Sequence, residues 1–340
     1  MSKKQIEGRI GQFSDNKIRG WCRIQGIIDS VKVECLLDNQ ILGDYSADQP
    51  RINLAKKEFN SINHGFSIDL NVTPNTIHKI DVRELSSKQS VANSPTLLGE
   101  ELSKPLIYFI HIPKTAGTSL RFMLDSCFDQ EQIFPNMLDI KSNAGLYPDI
   151  DDIYELPINR LKGLRLINGH YPLAMTDKWL LNMKLITFFR RPADRVMSHI
   201  KHLKKNDTNC RHLTIEEIYV KHKSSLVNLQ LRILKNKAYK NAHTVDFQST
   251  KFNESKLIST LDRFAAFGIV EDFERSTQWI SEELGLSFKK MILTNQSNID
   301  NAFTEDLKSK IEHDCRLEEA AYEIIKSEFD TVTKTGGYIK

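Results

Sequence analysis

A chain of 340 residues, 40% hydrophobic and 27% charged, is long enough for two domains and too apolar to be disordered throughout. Lys+Arg 47 against Asp+Glu 44 leaves a formal charge of +3, which excludes the strongly basic balance of a bulk nucleic-acid binder. No stretch approaches the roughly 18 uninterrupted apolar residues of a membrane-spanning helix, and MSKKQIEGRI carries no apolar leader behind its basic start. The five cysteines, Cys22, Cys35, Cys127, Cys210 and Cys315, are scattered and never form a C-x-x-C pair. Such usage fits a reduced compartment without a disulfide framework or structural zinc. A cytoplasmic protein with no integral membrane association is expected.

Residues 1–90 read as short strands. Val31, Val33, Cys35 and Leu37 alternate with Lys32, Glu34 and Leu36, and Asp38-Asn39 supplies turn chemistry before Ile41. Phe66, Ile68, Leu70 and Val72 repeat the alternation, then Ile80 and Val82. Short alternating strands with Gly, Asn, Asp and Pro between them predict a small antiparallel β-sandwich. Residues 86–104 are polar and read as a linker, or an edge strand plus linker, with the linker proper at 91–104.

The rhythm changes at residue 105. Leu106–Ile112 is a nearly unbroken apolar run, the mark of a parallel strand buried on both faces. Leu120, Met123, Leu124, Cys127 and Phe128 follow at the spacing of one helical face. Further buried strands are expected at 164–168, 185–189, 264–270 and 291–294, and a long charged helix at about 305–329. Alternating strand and helix predicts an α/β domain over 105–340, a P-loop-like parallel sheet flanked by helices.

Two strand ends carry the chemistry. In FIHIPKTAGTSLRFML (109–124) a strand runs into Lys114, Thr115, Ala116, Gly117, Thr118 and Ser119 before a helix starts. Backbone N–H groups, a helix N-terminus, a glycine for close approach and a lysine are the parts of a phosphate site. The Walker A order is absent, since here the lysine precedes the glycine. In ITFFRRPADRVMSHI (186–200) a strand ends at Arg190, Pro192 suits a first helical turn, and Ser198 lies one to two turns on.

PKTAGTS at 113–119 resembles the 5′-phosphosulfate loop of sulfotransferases that use 3′-phosphoadenosine 5′-phosphosulfate (PAPS), nearest to the heparan-sulfate and chondroitin group. FRRPADRVMS at 189–198 resembles that group's 3′-phosphate motif. NLQLRIL at 228–234 is similar to its N-x-Q-x-R helix, FGIVEDFERS at 267–276 to a late strand ending in Glu, and the spacing of Asp314 and Tyr322 to its final helix. GWCRI, LLDNQILG and HGFSIDL resemble a β-domain attached to bacterial glycan-modifying enzymes.

The resemblance implies a sulfotransferase fold. It also implies that Lys114, Thr115, Ala116, Gly117, Thr118 and Ser119 hold the 5′-phosphosulfate, and that Arg190 and Ser198 hold the 3′-phosphate. Arg191 departs from the group's usual acid or Asn, which leaves the choice between Arg190 and Arg191 open. The implied reaction is transfer of a sulfuryl group from PAPS to a carbohydrate hydroxyl, without a metal; the sequence offers no metal-ligand cluster.

Lys114 is the cation expected at the leaving oxygen, and His170, just past the second buried strand, the expected general base. His111 reads as structural, with His199 and His202 as fallback bases. The basic stretch 195–212 reads equally as an anion-steering patch or a solvated helix face, and Asp149, Asp151 and Asp152 as a solvated loop. Alternatives are a lipid or small-molecule acceptor, a glycan-binding protein with an idle sulfotransferase-like domain, and an ATP-dependent kinase. Neither the acceptor nor the oligomeric state is encoded legibly.

Overall fold

Period-two patterning puts alternate side chains on one face of a strand, and in the first half of the chain it builds two facing sheets. The computed structural model describes residues 5–51, 61–99, 102–235, 253–289 and 303–334. The strands, in chain order, are β1 (Ile6–Ser14), β2 (Lys17–Ile24), β3 (Val31–Leu37), β4 (Gln40–Ala47), β5 (Gln49–Pro50), β6 (Asn63–Asp69) and β7 (His78–Glu84). They continue with β8 (Thr96–Gly99), β9 (Leu106–Ile110), β10 (Ile133–Phe134), β11 (Leu166–Gly169), β12 (Leu180–Leu181), β13 (Met183–Phe189) and β14 (Phe264–Ile269). The helices are α1 (Gly117–Asp125), α2 (Met137–Ser142), α3 (Ile158–Lys162), α4 (Pro192–Asn206), α5 (Ile215–Leu226), α6 (Leu229–Lys235), α7 (Glu254–Leu261), α8 (Phe273–Leu284) and α9 (Glu305–Lys334). None of them is long and apolar enough to cross a membrane.

Two units emerge. The first takes in residues up to Pro105 together with Asp149–Leu164 and Thr176–Asn182. It contains the sheets β1-β2-β6-β5 and β12-β8-β7-β3-β4, antiparallel except for the β8–β12 pair. Ile18, Cys22, Phe66 and Ile68 from one sheet pack with Val33, Cys35, Ile80 and Val82 from the other, so the predicted sandwich is what forms. Each large apolar side chain buried this way contributes about 1.5–3 kcal/mol. Asp38 and Asn39 turn the chain with φ of 53° and 67°, the left-handed pair that a two-residue hairpin requires. β3 breaks strict alternation: a bulge at Cys35/Leu36 buries Leu36 as well, and Glu34 is buried against Lys88 at 2.8 Å.

Within the stretch read as a linker, or an edge strand plus linker, residues 96–99 form β8. Thr96–Gly99 is buried and pairs with β7 on one side and β12 on the other, because a short apolar run needs partners for its backbone. The later segments are tied in by Lys79 Nζ donating to Tyr154 O (2.5 Å), Lys162 pairing with Asp38 (2.9 Å), and Trp179 Nε1 donating to Tyr154 Oη (2.9 Å). The Asp149/Asp151/Asp152 group starts a 3-10 turn, Asp149 accepting the Asp151 N–H at 3.2 Å.

The second unit comprises Leu106–Pro148, Arg165–Met175 and the residues from Met183 on. Its five-stranded sheet, β10-β11-β9-β13-β14, is parallel throughout. β9, β11 and β13 coincide with expected buried runs, and β14 ends at Ile269; the strand expected at 291–294 lies outside the described residues. From β9 the chain moves to one side of the sheet, to β10 and β11, and later to the other side, to β13 and β14. The order therefore reverses at β9, and the carboxyl ends of β11, β9 and β13 border the crevice where open α/β sheets take ligands.

One expectation about the basic stretch fails. Arg195 belongs to neither a steering patch nor a solvated face, being wholly buried with Arg232 and Glu318. The carboxylate of Glu318 accepts the Gln230 N–H at 2.6 Å, and both arginines bring charge to it. An unpaired charge at such depth would be very costly, which explains why three ionisable groups are buried together.

Candidate functional site

Three consecutive sheet neighbours deliver the site. β11 ends at Gly169 and hands on His170, β9 ends at Ile110 and leads to Lys114, and β13 ends at Phe189 and hands on Arg190. Thr187 Oγ1 donates to Ile110 O at 2.8 Å and fastens β13 to β9 just below these ends.

The loop 113–119 turns tightly before α1. Lys114 and Ala116 both adopt left-handed backbone, φ 71° and 55°, and Ala116 offers α1 no side-chain cap. Among the described residues the Gly117 and Thr118 N–H groups are left to an outside acceptor, with the positive end of the helix dipole behind them, while the Ser119 N–H already donates to Ala116 O at 3.0 Å. Thr115 is wholly buried and its hydroxyl donates to Ile112 O at 2.9 Å, so any anion contact it makes is through its N–H. Thr118 is exposed and Ser119 half-buried.

Gly117 is dictated by its neighbour. A Cβ there would stand 1.9 Å from His111 Cδ2 and 2.1 Å from Nε2, and His111 is buried beneath it. Gly117→Ala is expected to push the ring or the loop aside and cost about 1–3 kcal/mol, readable by denaturant unfolding.

Lys114 and Arg190 converge. Arg190 Nη1 donates to Lys114 O at 3.3 Å, and burial first, then the Arg190 charge, pulls the Lys114 pKa below its ordinary value. Among the described residues neither cation is in ion-pair contact with a carboxylate; Asp194, in the first turn of α4, senses Arg190 and has its own pKa raised by burial. Two neighbouring cations without a partner acid are stabilised by any anion placed between them.

Arg191 is turned to other work. Its N–H donates to Glu271 (2.9 Å), and its guanidinium pairs with Glu319 (3.4 Å) and Glu312 (4.0 Å) on α9. Among the described residues Arg190 makes no such pair with an acid. Ser198 sits half-buried in the second turn of α4, with no hydrogen bond of its hydroxyl among the described residues.

His170 is exposed, and its Nδ1 lies 2.7 Å from His111 O. A carbonyl only accepts, so Nδ1 carries the proton and the basic lone pair of the neutral ring is on Nε2. The His111 and Tyr147 rings flank it at 4.4 and 5.3 Å. His111 itself has its pKa lowered well below the usual histidine range, by burial first and then by the His170, Arg121 and Lys114 charges, which fits its structural reading. His202 feels Lys114 too, its pKa lowered by burial and then by that charge.

No family model matches the chain and no curated protein matches it. Eighteen chains of solved structures do. A sulfotransferase from Alicyclobacillus acidocaldarius is 16% identical with a TM-score of 0.39, over 67% of this chain and 96% of that one. Mouse sulfotransferase SULT7A1 complexed with PAP is 14% identical with a TM-score of 0.38, over 65% of this chain and 88% of that one.

Sequence reasoning left Gln230 without a role. Its amide accepts from Arg190 N and donates to Arg190 O, both at 2.9 Å, gripping that residue's main chain as a neighbouring strand would. Glu271 makes only the accepting half of such a grip, taking the Arg191 N–H at 2.9 Å, and its other oxygen accepts from Tyr322 Oη at 2.5 Å. Asp314 goes elsewhere, to Tyr219 (2.6 Å) and Lys223 (2.7 Å). A cavity of about 280 Å³ lined by Leu261, Phe264, Phe267, Trp279 and Val332 holds none of the strand-end residues.

Proposed function

We propose that the protein is a sulfotransferase that moves the sulfuryl group of PAPS to a hydroxyl of a carbohydrate. The observation that carries this reading is the meeting of Lys114 and Arg190, both without an acid in contact among the described residues, beside the uncapped start of α1. An anion with two separated phosphate groups suits that arrangement, and the motif resemblance supplies its identity. PAPS would bring the sulfuryl group and a leaving bisphosphate. The loop N–H groups and Lys114 would hold the 5′-phosphosulfate, and Arg190, with Ser198, the 3′-phosphate.

In that reading Nε2 of His170 takes the proton of the attacking hydroxyl. A bond forms from the acceptor oxygen to sulfur as the bond from sulfur to the bridging oxygen breaks. Lys114 offsets the charge that grows on that oxygen, leaving a sulfate ester and adenosine 3′,5′-bisphosphate. The acceptor class rests on the likeness of the motifs to those of glycan sulfotransferases, an associational support.

Thermal unfolding with adenosine 3′,5′-bisphosphate, AMP, ADP and ATP tests the nucleotide. At about 100 times its dissociation constant a ligand adds roughly 2.7 kcal/mol. The bisphosphate is expected to raise the midpoint most, Arg190→Ala to erase its advantage over AMP, and Arg191→Ala to keep it. Equal shifts with ATP would sink the PAPS reading.

A further inference from the structure

The turn between α4 and α5 holds a group that the expected chemistry does not use. Asp207 ends α4, Cys210 follows in the turn, and His222 projects from the second half of α5. Cys210 Sγ lies 3.4 Å from His222 Nε2 and 3.6 Å from Asp207 Oδ2, and one ligand atom from each of the three lies within 4.8 Å of the others. Cys210 is buried, with the other two half-buried beside it. We propose that Asp207, Cys210 and His222 form a zinc site with a fourth position left to water.

The sulfur distances match the edges of a tetrahedral zinc site, and they also lie in the hydrogen-bond range of a thiol. Tetrahedral zinc with Zn–S near 2.3 Å and Zn–N near 2.0–2.1 Å sets sulfur and nitrogen about 3.5 Å apart. Both sulfur distances are close to that edge. The donor set of one thiolate, one imidazole and one carboxylate is borderline in softness, which suits zinc better than magnesium, calcium or copper(I).

The ligand turn is also held in place without a metal. Lys204 on α4 donates to Arg211 O (2.8 Å) and Leu213 O (2.5 Å), and the Asn209 N–H donates to Asp207 Oδ1 (2.8 Å), which leaves Oδ2 toward the sulfur. The spacing D-x₂-C-x₁₁-H carries the chelating logic of a C-x₂-C…H site with an acid in the first place, which a search for cysteine pairs passes over.

The role follows from position. α4 is 15 residues long, about 22 Å at 1.5 Å per residue, and the cluster sits at the end away from Arg190. Zinc there fastens α4 to α5 and stabilises the unit without taking part in group transfer.

Protein passed over a weak chelating resin after exposure to zinc is expected to keep one zinc ion per chain by elemental analysis. Cobalt(II) added to the stripped protein is expected to give a near-ultraviolet thiolate-to-cobalt band. Cys210→Ser and His222→Gln should each weaken zinc binding by about 100-fold or more, beyond the 10–100-fold typical of outer partners. Cys127→Ser, whose thiol lies near Met123 O and Ser287 O, should leave it unchanged. If Cys210→Ser fails to fold, the half-buried His222 variant carries the same readout. No cobalt–thiolate band in the wild type, a band that persists in Cys210→Ser, or an unchanged cobalt affinity in His222→Gln overturns the assignment.

Discussion

Lys114→Ala is expected to lower the rate of sulfuryl transfer by about 10²–10³, the loss typical of removing one preorganised donor from a developing oxyanion. The chain should still fold, because Lys114 is only half-buried and its left-handed backbone is one alanine can occupy at modest cost. Thermal unfolding should show the bisphosphate shift reduced as well, since in the proposed reading the same ammonium faces the bound anion. The pH dependence has a sign. The binding form is the protonated amine, and burial with the Arg190 charge lowers its pKa, so affinity should fall at a lower alkaline pH than an ordinary lysine near 10.4 would give. Lys114→Arg, which stays charged, should keep binding at that pH. Unchanged turnover in Lys114→Ala would remove this residue from the chemistry.

His170→Ala should cost about 10²–10⁴ in turnover, the usual worth of a positioned base, while leaving nucleotide binding intact. That split separates it from Lys114. Unchanged turnover in His170→Ala would pass the base role to His202, which is near enough to feel Lys114.

The parallel sheet was legible because buried strands write themselves as nearly unbroken apolar runs, Leu106–Ile110 and, around Thr187, Leu185–Phe189 among them. β1 and β2 were not. Gly8, Gly11 and Gly20 interrupt their alternation, and Gly20 is glycine because the Phe66 ring lies 2.2 Å from where its Cβ would be. Lys114, Arg190 and His170 could be picked out because a residue just past a buried strand has few places to go. Arg195 was misread because an arginine in a basic helix looks solvated until its acid is known, and Glu318 lies 123 positions further on. The Gln230 clamp and the Asp207–Cys210–His222 cluster depend on side chains meeting across turns, which spacing alone does not encode.

The first unit has a consequence for how the chain is made and cut. Its second sheet is closed by Leu180–Leu181, and Lys79 finds its acceptor only at Tyr154. During synthesis the N-terminal strands therefore wait for some eighty further residues to leave the ribosome before their edge is covered, so β8 emerges with one side unpaired. A fragment ending near residue 105 would be left permanently in that nascent state, and one ending near residue 90 would lack β8 itself. Its failure to bind a sugar would say nothing about the intact protein, and carving out the sandwich for study requires a circularly rearranged or co-expressed chain rather than a truncation.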